Sequence, residues 1–225
     1  MITPYDWQEG IGNRAQYIEG KLTQGSPVIA VSLDSGILIY TRRRQSRKIF
    51  EVYDRLAFSA VGQQSDVEAL RSAAVEFAHQ EGFNRSEQDV TIQRLVTALS
   101  GPVKKAFSDF SAAPLVSRSL FTEVNESPDT DQFYVLDYDG DYAVSHFSAV
   151  VAGTHEQAEA AVTQLQDFDR TLDAAAASEK LRELWKTATE GSDEESKLGD
   201  LIEEAMHVDR STAKENRFRL LEFKS

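Results

Sequence analysis

The chain has 225 residues and 37 acidic against 24 basic side chains, a formal net charge of -13 that repels a nucleic-acid backbone unless a basic patch is segregated. It contains no cysteine, which excludes disulfides and thiolate metal sites and fits a reducing compartment. At 41% hydrophobic it is long enough to bury a full core as one domain, and the start "MITPYDWQEG" lacks the features of a signal peptide. No apolar run approaches the roughly 18 residues of a membrane span, so a soluble, cytoplasmic protein is expected.

Ile11, Ala15, Ile18 and Leu22 recur at helical spacing and predict a helix over Trp7 to Leu22, weakened by Gly10, Gly12 and Gly20 and therefore in need of a surface to dock on. Val28 to Leu33 and Ile37 to Thr41 read as a hairpin turning at Gly36. Ile49 to Tyr53 and Leu56 to Val61 repeat the pattern, and four strands in a row predict one antiparallel sheet. The cluster Arg42, Arg43, Arg44, Arg47 and Lys48 has no interleaved aromatic residues to stack bases and reads as a local contact surface.

Helical periods follow. Ser65 and Glu68 form a candidate capping box ahead of Val67, Leu70, Ala74, Phe77 and Ala78, and a second helix is expected from about Asp89 to Phe107, kinked or divided at Gly101-Pro102. Strands return at Leu115 to Val124, Gln132 to Tyr138 and Tyr142 to Ala152, the last bent or broken midway. Thr154 and Gln157 cap a helix that turns Ala158, Ala161, Val162 and Leu165 inward, and another runs from about Leu172 to Thr187. Glu190 to Glu204 is strongly acidic and reads as a solvated loop with an exposed helix face, before a closing strand over Arg217 to Phe223. Strand runs alternating with helix runs predict α+β layers. The four histidines, His79, His146, His155 and His207, lack ligand spacing, so no metal is expected. With no phosphate loop, nucleotide fingerprint or Gly-x-Ser-x-Gly elbow, no cofactor is expected either.

The helix before a Gly-Ser hairpin, "RKIFEVYDRLAFSAVGQQSDVEALR" and "QFYVLDYDGDYAVSHFSAVVAGT" together resemble the α-type subunits of the 20S proteasome, most closely the bacterial kind, over roughly Tyr5 to Ala188. The resemblance implies the N-terminal-nucleophile hydrolase fold, a four-layer αββα sandwich of two antiparallel sheets flanked by helices. It divides the chain into a gate segment (1–6), an N-terminal helix (7–22) and, after the main body, an acidic, poorly matching region (190–225). In catalytic β-type relatives a propeptide is removed after glycine, and the exposed Thr attacks with its own α-amino group as base, assisted by a lysine that a carboxylate orients.

Gly25-Ser26 occupies the place of that cleavage site. The carboxylate expected sixteen residues on is Arg42, whose guanidinium would repel Lys48 with no acidic neighbour between them, and Pro27 fixes the adjoining backbone. The reading is therefore non-catalytic, with no catalytic residue. An active hydrolase using Ser26 after self-cleavage, or a proteasome-like homo-oligomer without a protease partner, are the alternatives.

The resemblance further implies a heptameric ring of this chain stacked on a β-type catalytic subunit, admitting unfolded protein substrates. In α-type subunits a lysine at the place of Lys48 meets the terminal carboxylate of an activator, an AAA-type ATPase or another, whose tail ends in a hydrophobic residue, a tyrosine and one more residue. Gly62 and Gln63 match the backbone contributors. Thr3, Pro4, Tyr5, Asp6 and Trp7 match the gate, with Trp7 in place of the family's arginine.

Overall fold

The computed structural model describes residues 4–189, 201–212 and 216–223. Two five-stranded antiparallel sheets are stacked face to face, with a helix pair against each outer face. This is the αββα layering that the resemblance implied.

Strands β1 (Val28–Leu33) and β2 (Gly36–Arg43) form the first hairpin, with Val28 opposite Thr41 and Leu33 opposite Gly36. The second hairpin, β3 (Ile49–Tyr53) and β4 (Leu56–Gly62), does not extend the same sheet as the sequence suggested. It belongs to the opposite one, in the order β3-β4-β5-β6-β7 with β5 (Ser117–Glu123), β6 (Gln132–Leu136) and β7 (Tyr142–Ser145). Both hairpins are built of apolar β-formers around short turns, a pattern that fixes each hairpin but not whether they pair edge to edge or stack. The run from Tyr142 to Ala152 breaks at His146-Phe147, and its second half, β8 (Ser148–Val151), pairs with β1 in the first sheet.

A largely buried strand, β9 (Ile202–Asp209), pairs with the full length of β2, and β10 (Phe218–Leu220) closes that sheet in the order β10-β9-β2-β1-β8. The helix face read into the acidic stretch is therefore a strand where the structure describes it. The rest of that stretch, residues 190–200, lies outside the described residues. Glu203 and Glu204 gave "IEEAMHVD" a solvated look, but both side chains are paired with arginines.

Helices α2 (Gln64–Asn84) and α3 (Ile92–Ser108) cover the β3–β7 sheet. The predicted capping box of α2 does not form: the helix starts at Gln64, Ser65 lies inside its first turn, and Glu68 instead bonds Arg71. Helix α3 begins at Ile92, three residues after the predicted start, with Thr91 accepting the backbone N–H of Arg94 at 3.4 Å. It runs through Pro102 undivided. The missing N–H leaves the Ala98 carbonyl without its helical donor, but Gly101 and Pro102 sit on the water side while Leu95, Val96, Leu99 and Val103 hold the opposite face in the core.

Helices α4 (His155–Leu165) and α5 (Ala174–Thr189) cover the other sheet. The capping box of α4 forms as predicted, Thr154 Oγ1 accepting from the Gln157 backbone at 3.2 Å and Gln157 Oε1 accepting from the Thr154 backbone at 3.3 Å. Between the sheets Val28, Ala30, Ile37, Ile39, Leu120 and Phe133 form a core that also receives Ile18 and Leu22 from α1 (Pro4–Leu22). Full burial of side chains of this kind stabilises by roughly 1.5–3 kcal/mol each.

Candidate functional site

Where α1 ends, Gly25 and Ser26 turn the chain into β1. A Cβ on Gly25 would lie 2.0 Å from Val61 Cγ1 and 3.0 Å from the Leu22 carbonyl, so this glycine has a packing reason to be where it is. The Ser26 hydroxyl is buried and donates to the Arg42 carbonyl at 2.5 Å. The next carbonyl, on Pro27, accepts from Thr41 Oγ1 at 2.7 Å and from Nε1 of the fully buried Trp185 at 2.9 Å. Lys48 Nζ donates to the Ser26 carbonyl. Ser26 is thus tied into the sheet through its hydroxyl, its own carbonyl and the following residue.

The Arg42 guanidinium does not stand unneutralised toward Lys48, as the local sequence implied. It bonds Glu203 at 2.6 Å, approaches the Tyr40 hydroxyl at 3.4 Å and lies over the Trp185 ring. Burial raises the Tyr40 hydroxyl above the ordinary tyrosine pKa, keeping it neutral beside this pair. Glu203 comes from β9, 161 residues away, which is why no neighbouring residue announced it.

The residues after Arg42 wrap a cavity of about 430 Å³, lined on one side by five cations, Arg42, Arg43, Arg44, Arg47 and Lys48, and on another by Ala60, Val61, Val67 and Leu201. Its organiser is Glu204, only 5% exposed. The carboxylate accepts the backbone N–H groups of Lys48 at 3.0 Å and Ile49 at 3.3 Å, and it ion-pairs with Arg43 at 3.0 Å and Arg47 at 3.5 Å. One buried acid therefore holds both ends of the basic loop. Sequence reasoning missed Glu203 and Glu204, whose signal was present only as two carboxylates flanked by β-forming residues.

Of the residues singled out beforehand, Lys48 and Gly62 line this cavity together with Ser26, and Gln64 lines it in place of Gln63. Gly62 has φ +156, and a Cβ there would lie 2.1 Å from the Val116 carbonyl oxygen, so only glycine lets β4 and β5 approach at this point. The Gln63 backbone N–H is taken by that same Val116 carbonyl at 2.8 Å.

The proposed gate residues lie elsewhere. Thr3 is outside the described residues, and Pro4 to Trp7 form the first turn of α1, so the helix starts three residues earlier than the periodicity predicted. Proline at the first helical position suits a place where no N–H is needed. Nineteen residues at 1.5 Å per residue put that turn roughly 28 Å along the helix from Leu22, remote from Lys48. Tyr5 is 83% exposed, whereas Trp7 meets Phe110 edge-on at 4.9 Å. Arg14, over the face of the same Phe110, donates to the Ala106 carbonyl at 3.0 Å and the Ala112 carbonyl at 3.1 Å, pinning α1 to the end of α3.

A hydrolase of the N-terminal-nucleophile kind needs a hydroxyl beside a free amine, with a lysine oriented by a carboxylate. Here the hydroxyl donates to a backbone carbonyl, and the carboxylate's place is held by an arginine turned toward β9. What the arrangement offers is a basic, half-apolar cavity beside the end of α1.

The proteasome subunit family profile matches residues 22–197. The proteasome subunit alpha of Acidothermus cellulolyticus is 30% identical over 212 residues, 91% of this chain and 88% of that protein. The corresponding subunit of Xylanimonas cellulosilytica is 35% identical over 147 residues, 64% of this chain and 60% of its relative's length. That of Streptomyces avermitilis is 29% identical over 176 residues, covering 76% and 70%. The chain belongs to the proteasome subunit family. The three relatives are each a proteasome subunit alpha from a bacterium.

Proposed function

We propose that the chain is a non-catalytic α-type subunit that forms the outer ring of a proteasome core particle in the cytoplasm, stacks on a β-type catalytic subunit, and admits unfolded proteins to its chamber. The observation that carries the non-catalytic reading is the Ser26 constellation: a buried hydroxyl donating to the Arg42 carbonyl, with the Arg42 guanidinium on Glu203. The relatives' names support the assembly, since each is a proteasome subunit alpha. Among the described residues no helix is long and apolar enough to cross a membrane.

In this reading the cavity around Lys48 docks an activator, an AAA-type ATPase or a comparable factor, by its C-terminal tail. A lysine among four arginines suits a terminal carboxylate, and the apolar wall of Ala60, Val61, Val67 and Leu201 suits a hydrophobic residue just before it. Gly62 and Gln64 line the rim, and Gln63, expected to contribute backbone there, instead has its N–H on the Val116 carbonyl. Pro4, Tyr5, Asp6 and Trp7, with Thr3 ahead of them, guard the pore from the far end of α1.

The reading is tested with particles reconstituted from this chain and a β-type partner. Ser26→Ala is expected to leave peptide hydrolysis unchanged, whereas a working nucleophile would lose most of its rate. A collapse of activity with assembly intact would favour a hydrolase that cleaves itself before Ser26, and intact mass spectrometry would then show a chain beginning at Ser26.

A further inference from the structure

The cations around the cavity are not equivalent, and their differences bear on which tails it takes. Arg42 is committed: its side chain is 11% exposed and fixed by Glu203, Tyr40 and the Trp185 face. Arg43 is used to shape the loop, donating to the Gln45 carbonyl at 2.6 Å and pairing with Glu204. Arg47 differs from both. Its side chain is 47% exposed, and its contact with Glu204, at 3.5 Å, is the longest that carboxylate makes.

Glu204 is also shared, since the same two oxygens serve Arg43 and two backbone N–H groups. Glu203 is likewise divided between Arg42 and Arg182, each at 2.6 Å. Glu203 and Glu204 are thus each shared between two guanidiniums, of which Arg182 also pairs with Glu179 at 2.6 Å and lies outside the cavity lining. Among the described residues, five cations and no acidic residue line the cavity, in a protein whose overall charge is -13.

We infer that Arg47 is a specificity-determining residue that reads an acidic side chain in the docked tail, upstream of the terminal carboxylate taken by Lys48. The cavity therefore selects tails carrying two negative groups, the chain terminus and a Glu or Asp a few residues before it. Arg47 turns from a long, shared contact to an unshared one, and Glu204 keeps Arg43 and the Lys48 and Ile49 amides when it does. A guanidinium forks onto a carboxylate through two N–H bonds, a geometry that a neutral amide in the tail does not reward.

This inference rests on the docking reading above, and the experiment separates the two. Short peptides ending in hydrophobic-Tyr-any residue are prepared as pairs, identical except for Glu or Gln at one upstream position. The position is stepped along the tail, and each peptide is also made with an amidated C-terminus. Binding to the purified, assembled protein is followed by calorimetry.

The Glu form at the favoured position is expected to bind about fivefold tighter than its Gln twin, the range of a partly exposed ion pair. The ratio should shrink as salt is raised, fall to near one in Arg47→Gln, and survive in part in Arg47→Lys. A ratio near one in the wild type at every position, with acid still preferred over amide at the terminus, overturns the role of Arg47 and leaves docking standing. A ratio that persists in Arg47→Gln overturns it as well. Equal binding of acid and amide forms contradicts the docking reading, and this inference with it.

Discussion

The two ends of the β1–β2 hairpin use the same chemistry, arginine on carboxylate, to opposite effect. At the turn end, Asp131 is fully buried and its acceptor positions are filled. Arg210 donates to both oxygens at 2.7 and 2.8 Å, Ser32 Oγ at 2.6 Å and the Asn125 backbone at 2.8 Å. Arg210 also donates to the Leu33 carbonyl at 2.9 Å. The pair stitches the segment before β6 to the hairpin, and nothing is left over for a ligand. At the other end Glu203 and Glu204 are each shared between two arginines, and three of those four, Arg42, Arg43 and Arg47, line a cavity. A closed ion pair fixes structure; a shared one beside open space is suited to recognition.

That contrast is broken most forcefully at the closed end. Asp131→Ala strands Arg210 without its carboxylate, and removing one partner of a buried pair costs about 3–5 kcal/mol. Urea unfolding should show that loss, with tail-peptide affinity of the folded fraction unchanged. A stable variant with weakened peptide binding would mean the two ends are not separate in function.

Glu204→Gln sharpens the comparison from the open end. The amide keeps one acceptor but loses the charge that holds Lys48, Ile49, Arg43 and Arg47, worth about 1.5–3 kcal/mol for hydrogen bonds to a charged group. The expected result is a smaller stability loss than in Asp131→Ala, together with a fall in tail-peptide affinity. Normal affinity in this variant would show that the loop holds its shape without Glu204.

The smallest effect is in acid, again at the closed end. Burial alone would raise the Asp209 carboxyl, but hydrogen bonds from Thr212 and Ser211 outweigh it and bring it down to about 2 from 3.8. A depressed carboxylate contributes stability above its unfolded value, and that contribution is lost as pH falls from about 4 to about 2. His207, paired with Ser35 at 3.1 Å, is lowered from 6.5 chiefly by burial, so its neutral form favours the fold and protonation below that value works against it. Thermal unfolding should therefore drop in two steps on acidification, and Asp209→Asn should remove the lower one.

The closed end was invisible in the sequence, and the open end was half visible. Two apolar β-forming runs on either side of Gly36 gave the first hairpin because both its strands are local. The Thr154 and Gln157 cap was legible because both its bonds span three residues. The Ser65 box looked equally good and did not form: the helix starts two residues sooner, at Gln64, and Asp66 in its first turn accepts the Val116 N–H at 2.9 Å from 50 positions away. The basic run of Arg42 to Lys48 stood out by composition. Its counter-charges, Glu203 and Glu204, lay inside what read as a solvated acidic stretch, because pairing β9 with β2 is a long-range event that no local pattern encodes.

The most direct measurement of the docking claim compares one peptide, ending in hydrophobic-Tyr-any residue, as its free acid and as its C-terminal amide, on the wild-type protein and on Lys48→Ala. A charge-assisted bond from Lys48 to the terminus contributes about 1.5–3 kcal/mol, roughly tenfold or more in affinity. The free acid is therefore expected to bind the wild type at least about tenfold tighter than the amide does, and Lys48→Ala to remove the difference, as docking through Lys48 requires. Equal binding of the two peptides to the wild type, or an undiminished difference in Lys48→Ala, would contradict it.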